Sequence, residues 1–194
     1  SEKTGDRRGT TKQTLTLREQ DGKSWSEVQS LTAESETISR LDSRTLAGFS
    51  SEVLEKSKDS TIRRTTEVLA SSIVLRKDEV MLSDLNSFIT ALRGFPFART
   101  NFAKVVFAGS QASLGGFSME LNVIGKETVK IGTTSHECWK LQLGMSGFLG
   151  GMVPKSQYWY AVKAPNYLVR FEGARGGPTS PITILELQSY ESAD

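Results

Sequence analysis

The chain of 194 residues carries 24 Lys and Arg against 22 Asp and Glu, a formal net charge of +2. This near balance argues against a dedicated nucleic-acid or polyanion binder. No apolar run approaches the roughly 18–20 residues of a transmembrane helix. Because Cys138 is the only cysteine, an internal disulfide and a cysteine-cluster zinc site are both excluded.

Residues 1–9 are charged and lack apolar side chains, which predicts a disordered N-terminal segment. No linker-like change in composition follows, so residues 10–194 are predicted to form a single β-rich domain. The chain begins with Ser1 and not with Met. We therefore expect that a natural N-terminal segment, such as an export signal, has been removed.

The first half of the chain alternates with the period of two that is typical of strands. Strands are predicted at residues 12–18, 24–32, 36–41, 46–56 and 61–75. Asp21 and Gly22 separate the first two and are typical of a hairpin turn. Leu15 and Leu17 share one face of the first strand.

Residues 82–97 have a different period and predict a helix of about three turns. Its apolar face follows the i, i+3, i+4, i+7 spacing through Leu85, Phe88, Ile89 and Leu92. Ser83 or Asp84 is the expected N-cap, and Gly94 the expected left-handed exit. This helix is predicted to be structural and to anchor the core.

The second half returns to strands, predicted at residues 103–108, 116–124, 128–131, 135–143, 157–163, 167–174 and 182–190. Gly125 is expected to interrupt the chain between the strands at residues 116–124 and 128–131. Residues 116–124 form the clearest amphipathic pattern, in which Phe117, Met119, Leu121 and Val123 share a face. The predicted fold is mainly β, an antiparallel meander curled into an open barrel around one short α-helix.

Several short segments, in this order, resemble the bacterial domain-of-unknown-function family 3108, whose members are Gram-negative envelope proteins. They are residues 84–97 (DLNSFITALRGFPF), 125–129 (GKETV), 136–141 (HECWKL), 158–160 (YWY), Pro165, 169–172 (VRFE) and 185–187 (LEL). The resemblance covers roughly residues 38–190. It implies a β-rich fold, export to the periplasm or envelope, and no established activity. At the level of fold, such proteins are similar to the half-open barrels that carry lipoproteins between membranes.

His136 and Cys138 are the only candidate soft metal ligands and lie two apart on a predicted strand. Side chains at this spacing share a face, so the pair could begin a zinc or copper site. Such a site needs at least one further ligand, and only carboxylates remain. Structural roles are therefore favoured, and a Cys–His nucleophile is disfavoured because no third orienting group or oxyanion hole is evident. We predict that the protein is not an enzyme.

Residues 151–156 (GMVPKS) end in Lys-Ser, as a phosphate-binding loop does. Pro154 stands where that loop needs a glycine, so the backbone N–H cradle is broken. We predict neither a metal nor another cofactor.

Arg93 falls in the last turn of the predicted helix, where the helix dipole favours a cation. It is expected either to pair with a carboxylate such as Glu172 or to remain exposed. The late aromatic residues Trp139, Tyr158, Trp159, Tyr160, Tyr167 and Phe171 are interpreted mainly as core, with ligand contact as the alternative.

Residues 144–155 combine four glycines with apolar side chains, an unusual composition for a solvated loop. The loop is expected to fold back over its own barrel or, alternatively, to form the lip of a binding site. The predicted ligand-binding residues are Met145, Phe148, Leu149, Met152, Tyr158 and Tyr160.

The leading hypothesis is non-catalytic binding of a hydrophobic or amphipathic molecule, such as lipid or a lipoprotein acyl chain. A protein-interaction module for envelope assembly, using a sheet edge or the Gly-rich loop, is the alternative. A metal-assisted enzyme using His136 and Cys138 is a third hypothesis.

Overall fold

The computed structural model of the protein describes residues 9–43, 48–56, 60–67, 79–82, 85–107, 117–145, 154–174 and 181–191. The first six strands are β1 (Lys12–Gln20), β2 (Lys23–Leu31), β3 (Ser35–Asp42), β4 (Gly48–Lys56), β5 (Thr61–Glu67) and β6 (Glu79–Leu82). A helix α1 (Leu85–Ala91) and a 3-10 turn (Leu92–Gly94) follow. The last six strands are β7 (Phe102–Phe107), β8 (Phe117–Ile131), β9 (Thr134–Met145), β10 (Ser156–Ala161), β11 (Leu168–Ala174) and β12 (Ile182–Glu186).

The predicted fold class is confirmed: the protein is mainly β, with antiparallel strand pairs and one short α-helix. The strands belong to two sheets, and neither sheet closes on itself in the described part of the chain. Neither helical segment in that part is long and apolar enough to cross a membrane. Most of the predicted disordered segment lies outside the described residues.

The chain divides into two compact units. The first comprises Ser1–Ala91 and Val106–Phe117, and the second comprises Leu92–Val105 and Ser118–Asp194. The single domain expected over residues 10–194 stays a prediction.

The first unit contains a five-stranded meander in the order β1-β2-β3-β4-β5. Its first turn is the predicted one, with Asp21 and Gly22 at φ values of 51° and 71°. Two successive positive φ values are characteristic of the type I′ hairpin, whose twist matches that of the flanking strands. The turn sets the register of β1 on β2, which pairs Leu15 with Val28 and Leu17 with Ser26.

One face of this sheet, which we call the inner face, is buried at its centre. Val28 and Leu41 are fully buried there, beside the small side chains of Ser30, Ser39 and Ser51. α1 contacts β2 and β3, the two strands that carry most of these residues. Small side chains let a helix approach a sheet closely, so α1 packs on the inner face.

Helix α1 is shorter than predicted and ends differently. It has 7 residues and continues into a 3-10 turn in which the Phe95 N–H bonds to the Leu92 carbonyl. Gly94 closes that turn without a positive φ, so the expected left-handed exit is wrong. The expected caps Ser83 and Asp84 lie outside the described residues. Phe88 and Leu92 are both buried, in agreement with a structural role.

Within the second unit the strand order is β12-β11-β10-β9-β8-β7. The break expected at Gly125 is wrong, because β8 runs through it as one strand of 15 residues. The register on β9 shifts between Val123 and Gly125, and Gly125 has a φ of 151°. The glycine therefore serves as a bulge and not as an end of the strand.

Both faces of the second sheet bury side chains. One face carries the larger core, including Leu121, Leu141, Leu143, Tyr158 and Phe171. Phe97 packs against it, with ring centroids 6.0 Å from Trp139 and 5.8 Å from Tyr160. The opposite face carries a smaller cluster of Val129, Cys138, Trp159, Ala161 and Val169.

Candidate functional site

The inner face of the first sheet extends from a buried centre to an exposed edge. In register, Leu15 lies beside Val28, and Leu17 beside Ser26, which in turn lies beside Leu41. Val28 is fully buried, whereas Leu15 is 43% exposed and Leu17 69% exposed. An apolar surface therefore continues past the helix to β1, the first strand of the sheet.

The same face contains a buried polar group. The Ser39 side chain is fully buried, and its hydroxyl has no hydrogen-bond partner. Leaving a buried hydroxyl without a partner costs about 1–3 kcal/mol. The row that begins at the exposed Leu15 thus passes through the buried Val28 and ends at the buried Ser39 hydroxyl.

The opposite face of the first sheet is charged. Glu27 forms ion pairs with Arg18 and Arg40, each at 3.3 Å, and Glu52 forms one with Arg63 at 2.9 Å. These pairs are partly exposed, so each stabilises the fold by at most about 1 kcal/mol. Their position shows that this face of the sheet is solvated.

In the second unit, charged side chains surround Trp159 on the face that carries the smaller cluster. The ring lies between the Lys140 ammonium, 5.1 Å from its centroid, and the Arg170 guanidinium, 5.6 Å away. Trp159 Nε1 donates a hydrogen bond to Glu127, which also pairs with Lys140 at 3.2 Å. The indole hydrogen bond is the main cause that holds the pKa of Glu127 below its usual value. Charged groups and the indole ring thus form a ladder across several strands.

The candidate pair His136 and Cys138 lies on one face of β9, as predicted. Cys138 is fully buried, and its thiol lies 3.5 Å from the His136 carbonyl oxygen. Burial is the main cause that raises the pKa of this thiol to about 11. The His136 ring meets Tyr167 edge-on at 6.4 Å. No group of three or more His, Cys, Asp or Glu side chains suited to a metal occurs in the described part of the chain.

Arg93 does not bind Glu172, so that predicted pairing is wrong. Glu172 pairs with Arg170 at 3.1 Å, whereas Arg93 donates to the Tyr190 hydroxyl at 3.1 Å and to the Pro165 carbonyl at 3.4 Å. The Tyr190 ring stacks on Tyr167 with a centroid distance of 4.7 Å. Arg93 therefore fastens the C-terminal segment.

The residues predicted to bind a ligand are only partly within the described structure. Phe148, Leu149 and Met152 lie outside the described residues, and Met145 is half-buried at the end of β9. Tyr158 and Tyr160 are buried in the larger core, where burial raises the pKa of Tyr160. Core packing was the main interpretation of these aromatic residues, and their ligand contact stays a prediction.

Leu15 and Leu17 were predicted on one face of a strand but not as a candidate site. The missing information was which face of the strand is covered, and how far. No protein-family model matches the chain, and neither a curated protein nor a solved structure is significantly similar to it.

Proposed function

We propose that the protein is a non-catalytic binding protein for a hydrophobic or amphipathic molecule such as lipid. The supporting observation is the inner face of the first sheet, where the apolar surface continues beyond the buried centre to the exposed Leu15 and Leu17. An apolar surface with few polar groups is typical of sites for small amphipathic ligands.

Covering Leu15 and Leu17 would contribute measurably to the free energy of ligand binding. Fully burying a leucine side chain contributes about 1.5–3 kcal/mol. Since Leu15 and Leu17 are 43% and 69% exposed, covering both contributes on the order of 2–3 kcal/mol. By the same arithmetic, losing one of them should weaken binding about tenfold.

The chemistry of the described residues favours binding over catalysis. With a pKa of about 11, the Cys138 thiol is protonated at neutral pH and is neither a good nucleophile nor a ready metal ligand. The proposal also places the protein in the bacterial periplasm or at the envelope, which rests on the resemblance of the short motifs described above. Release of the native protein by osmotic shock, with cytoplasmic markers retained, would support that location.

Native mass spectrometry of the protein purified from a bacterial host tests the ligand directly. We expect lipid to co-purify with the protein. We also expect the protein to bind a fluorescent fatty acid, and the Leu17→Asn variant to bind it about tenfold more weakly. The unfolding midpoint of Leu17→Asn should equal that of the wild type. Ile184→Asn is the matched control, because Ile184 is comparably exposed but lies in the other unit. Absence of lipid, together with equal fatty-acid binding by all three proteins, would contradict the proposal.

The Gly-rich loop has a separate test. Replacing Phe148 and Leu149 with serine should weaken fatty-acid binding and leave the unfolding midpoint nearly unchanged if the loop contacts the ligand. A loss of several kcal/mol in stability would instead identify the loop as core.

A further inference from the structure

Among the described residues, the outer edge of the last strand of the second sheet, β12, has no neighbouring strand. β12 pairs with β11 alone among the described strands, with Leu185 opposite Phe171 and Thr183 opposite Gly173. The Leu187 N–H bonds to the Val169 carbonyl at 2.9 Å, which identifies odd-numbered residues as those that bond to β11. In an antiparallel ladder the alternate residues point their N–H and C=O groups away. Those residues are Ile182, Ile184 and Glu186.

The same three residues carry exposed side chains. Ile182 is 55% exposed and Ile184 52% exposed, and both lie on the face that carries the Trp159 ladder. Alternate β-branched side chains with outward backbone groups are what an added strand would cover. The edge is short and follows Pro181, so it is protected against unlimited aggregation but not against one partner strand.

Charge specifies the partner further. The ladder around Trp159 places Lys140 and Arg170 on either side of the ring and ends at Glu186, which pairs with Arg170 at 2.9 Å. Arg170 also pairs with Glu172, so one guanidinium faces two carboxylates. Negative charge is therefore in excess at this edge, and the next position outward favours a cation.

We propose that the β12 edge binds an extended segment of a partner protein by strand addition. The segment carries a basic residue opposite Glu186 and β-branched residues opposite Ile184 and Ile182. This interaction goes beyond the proposed ligand binding and uses different residues in the other unit, so each proposal can fail without the other.

A synthetic peptide tests the proposal with the full chain. The probe is fluorescein-labelled Lys-Thr-Val-Thr-Val-Thr-amide, measured by fluorescence anisotropy at low ionic strength. We expect saturable binding that weakens at least tenfold when Glu replaces the peptide Lys. Binding should also weaken at least tenfold in the Ile184→Pro variant, which removes an outward N–H. Leu17→Asn, a change at an exposed leucine on the first sheet, should leave binding unchanged.

Two further measurements keep the test decisive if Ile184→Pro fails to fold. Glu186→Lys should reverse the preference, so that the Glu peptide binds more tightly than the Lys peptide. Amide hydrogen exchange should slow at Ile182 and Ile184 on adding the Lys peptide and remain unchanged at Thr183 and Leu185. Equal binding of both peptides, or no binding at millimolar concentration, would overturn the proposal. Self-association of the wild-type chain that Ile184→Pro abolishes would identify a second copy as the occupant and also overturn it.

Discussion

Gly173 is the position at which the structure makes its sharpest prediction about stability. It lies on β11 and faces Ser156 of β10 so closely that an added Cβ would lie 2.6 Å from the Ser156 Cβ and 3.0 Å from its Cα. Real Cβ atoms essentially never approach other atoms closer than 3.0 Å. Since the Cα belongs to the backbone, Gly173→Ala must separate two paired strands. Overpacking of this kind costs about 1–3 kcal/mol.

Urea unfolding followed by tryptophan fluorescence measures this cost, because Trp139 and Trp159 lie in the same unit as Gly173. Gly144→Ala is the matched control. The atoms nearest to its added Cβ belong to the flexible side chain of Lys155, the first at 3.0 Å, so the change should cost less than about 1 kcal/mol.

Adding Ser156→Gly to Gly173→Ala removes the clashing Cβ. The double variant should therefore lose at least about 1 kcal/mol less than the sum of the two single changes. Wild-type stability in Gly173→Ala, or strict additivity in the double variant, would refute the close approach of β10 and β11.

Three further predictions concern the core and the candidate metal pair. Phe88→Ala should lower the free energy of unfolding by about 2–5 kcal/mol through the cavity it leaves. Leu17→Ala, at an exposed position, should change it by less than about 1 kcal/mol. Equal urea midpoints for the two variants would contradict a structural role for the helix. Burial raises the pKa of the Cys138 thiol from its ordinary value of 9.0 to about 11. Wild-type stability should therefore fall between pH 9 and 11 by roughly 2 kcal/mol more than that of Cys138→Ala, and parallel pH curves would show that burial does not suppress its ionisation. Purified protein should contain no stoichiometric zinc; zinc that is present in the wild type and lost in His136→Ala would restore the metal hypothesis.

Local sequence signals predicted most of the elements. The Asp21–Gly22 hairpin depends on two residues that tolerate positive φ, and it occurs where expected. The apolar spacing around Phe88 predicted the helix, although its caps and exit were not those expected. Periods of two and 3.6 are properties of the chain itself, so they can be recognised without knowing its partners.

Features that depend on a neighbouring strand were not predictable. Gly125 was expected to end a strand and instead forms a bulge, because β9 continues to pair on both sides of it. Pairing of Arg93 with Glu172 was one of two alternatives, and it does not occur because Glu172 is held by Arg170 two residues away on the same strand. Charge and residue type were known in both cases, but the choice of partner depends on which strands lie side by side.

The sequence alone therefore determined the mainly β character of the protein, its short helix and its amphipathic strands. Only the tertiary structure decided that the strands form two sheets, with β1 and β12 each at one end of its strand order. The exposed Leu17 and the buried Val28 both belong to strands with the same period-two alternation, and they differ only in what covers their side chains. Coverage and strand edges follow from the packing of distant segments, which is why both candidate binding surfaces became visible only in the folded chain.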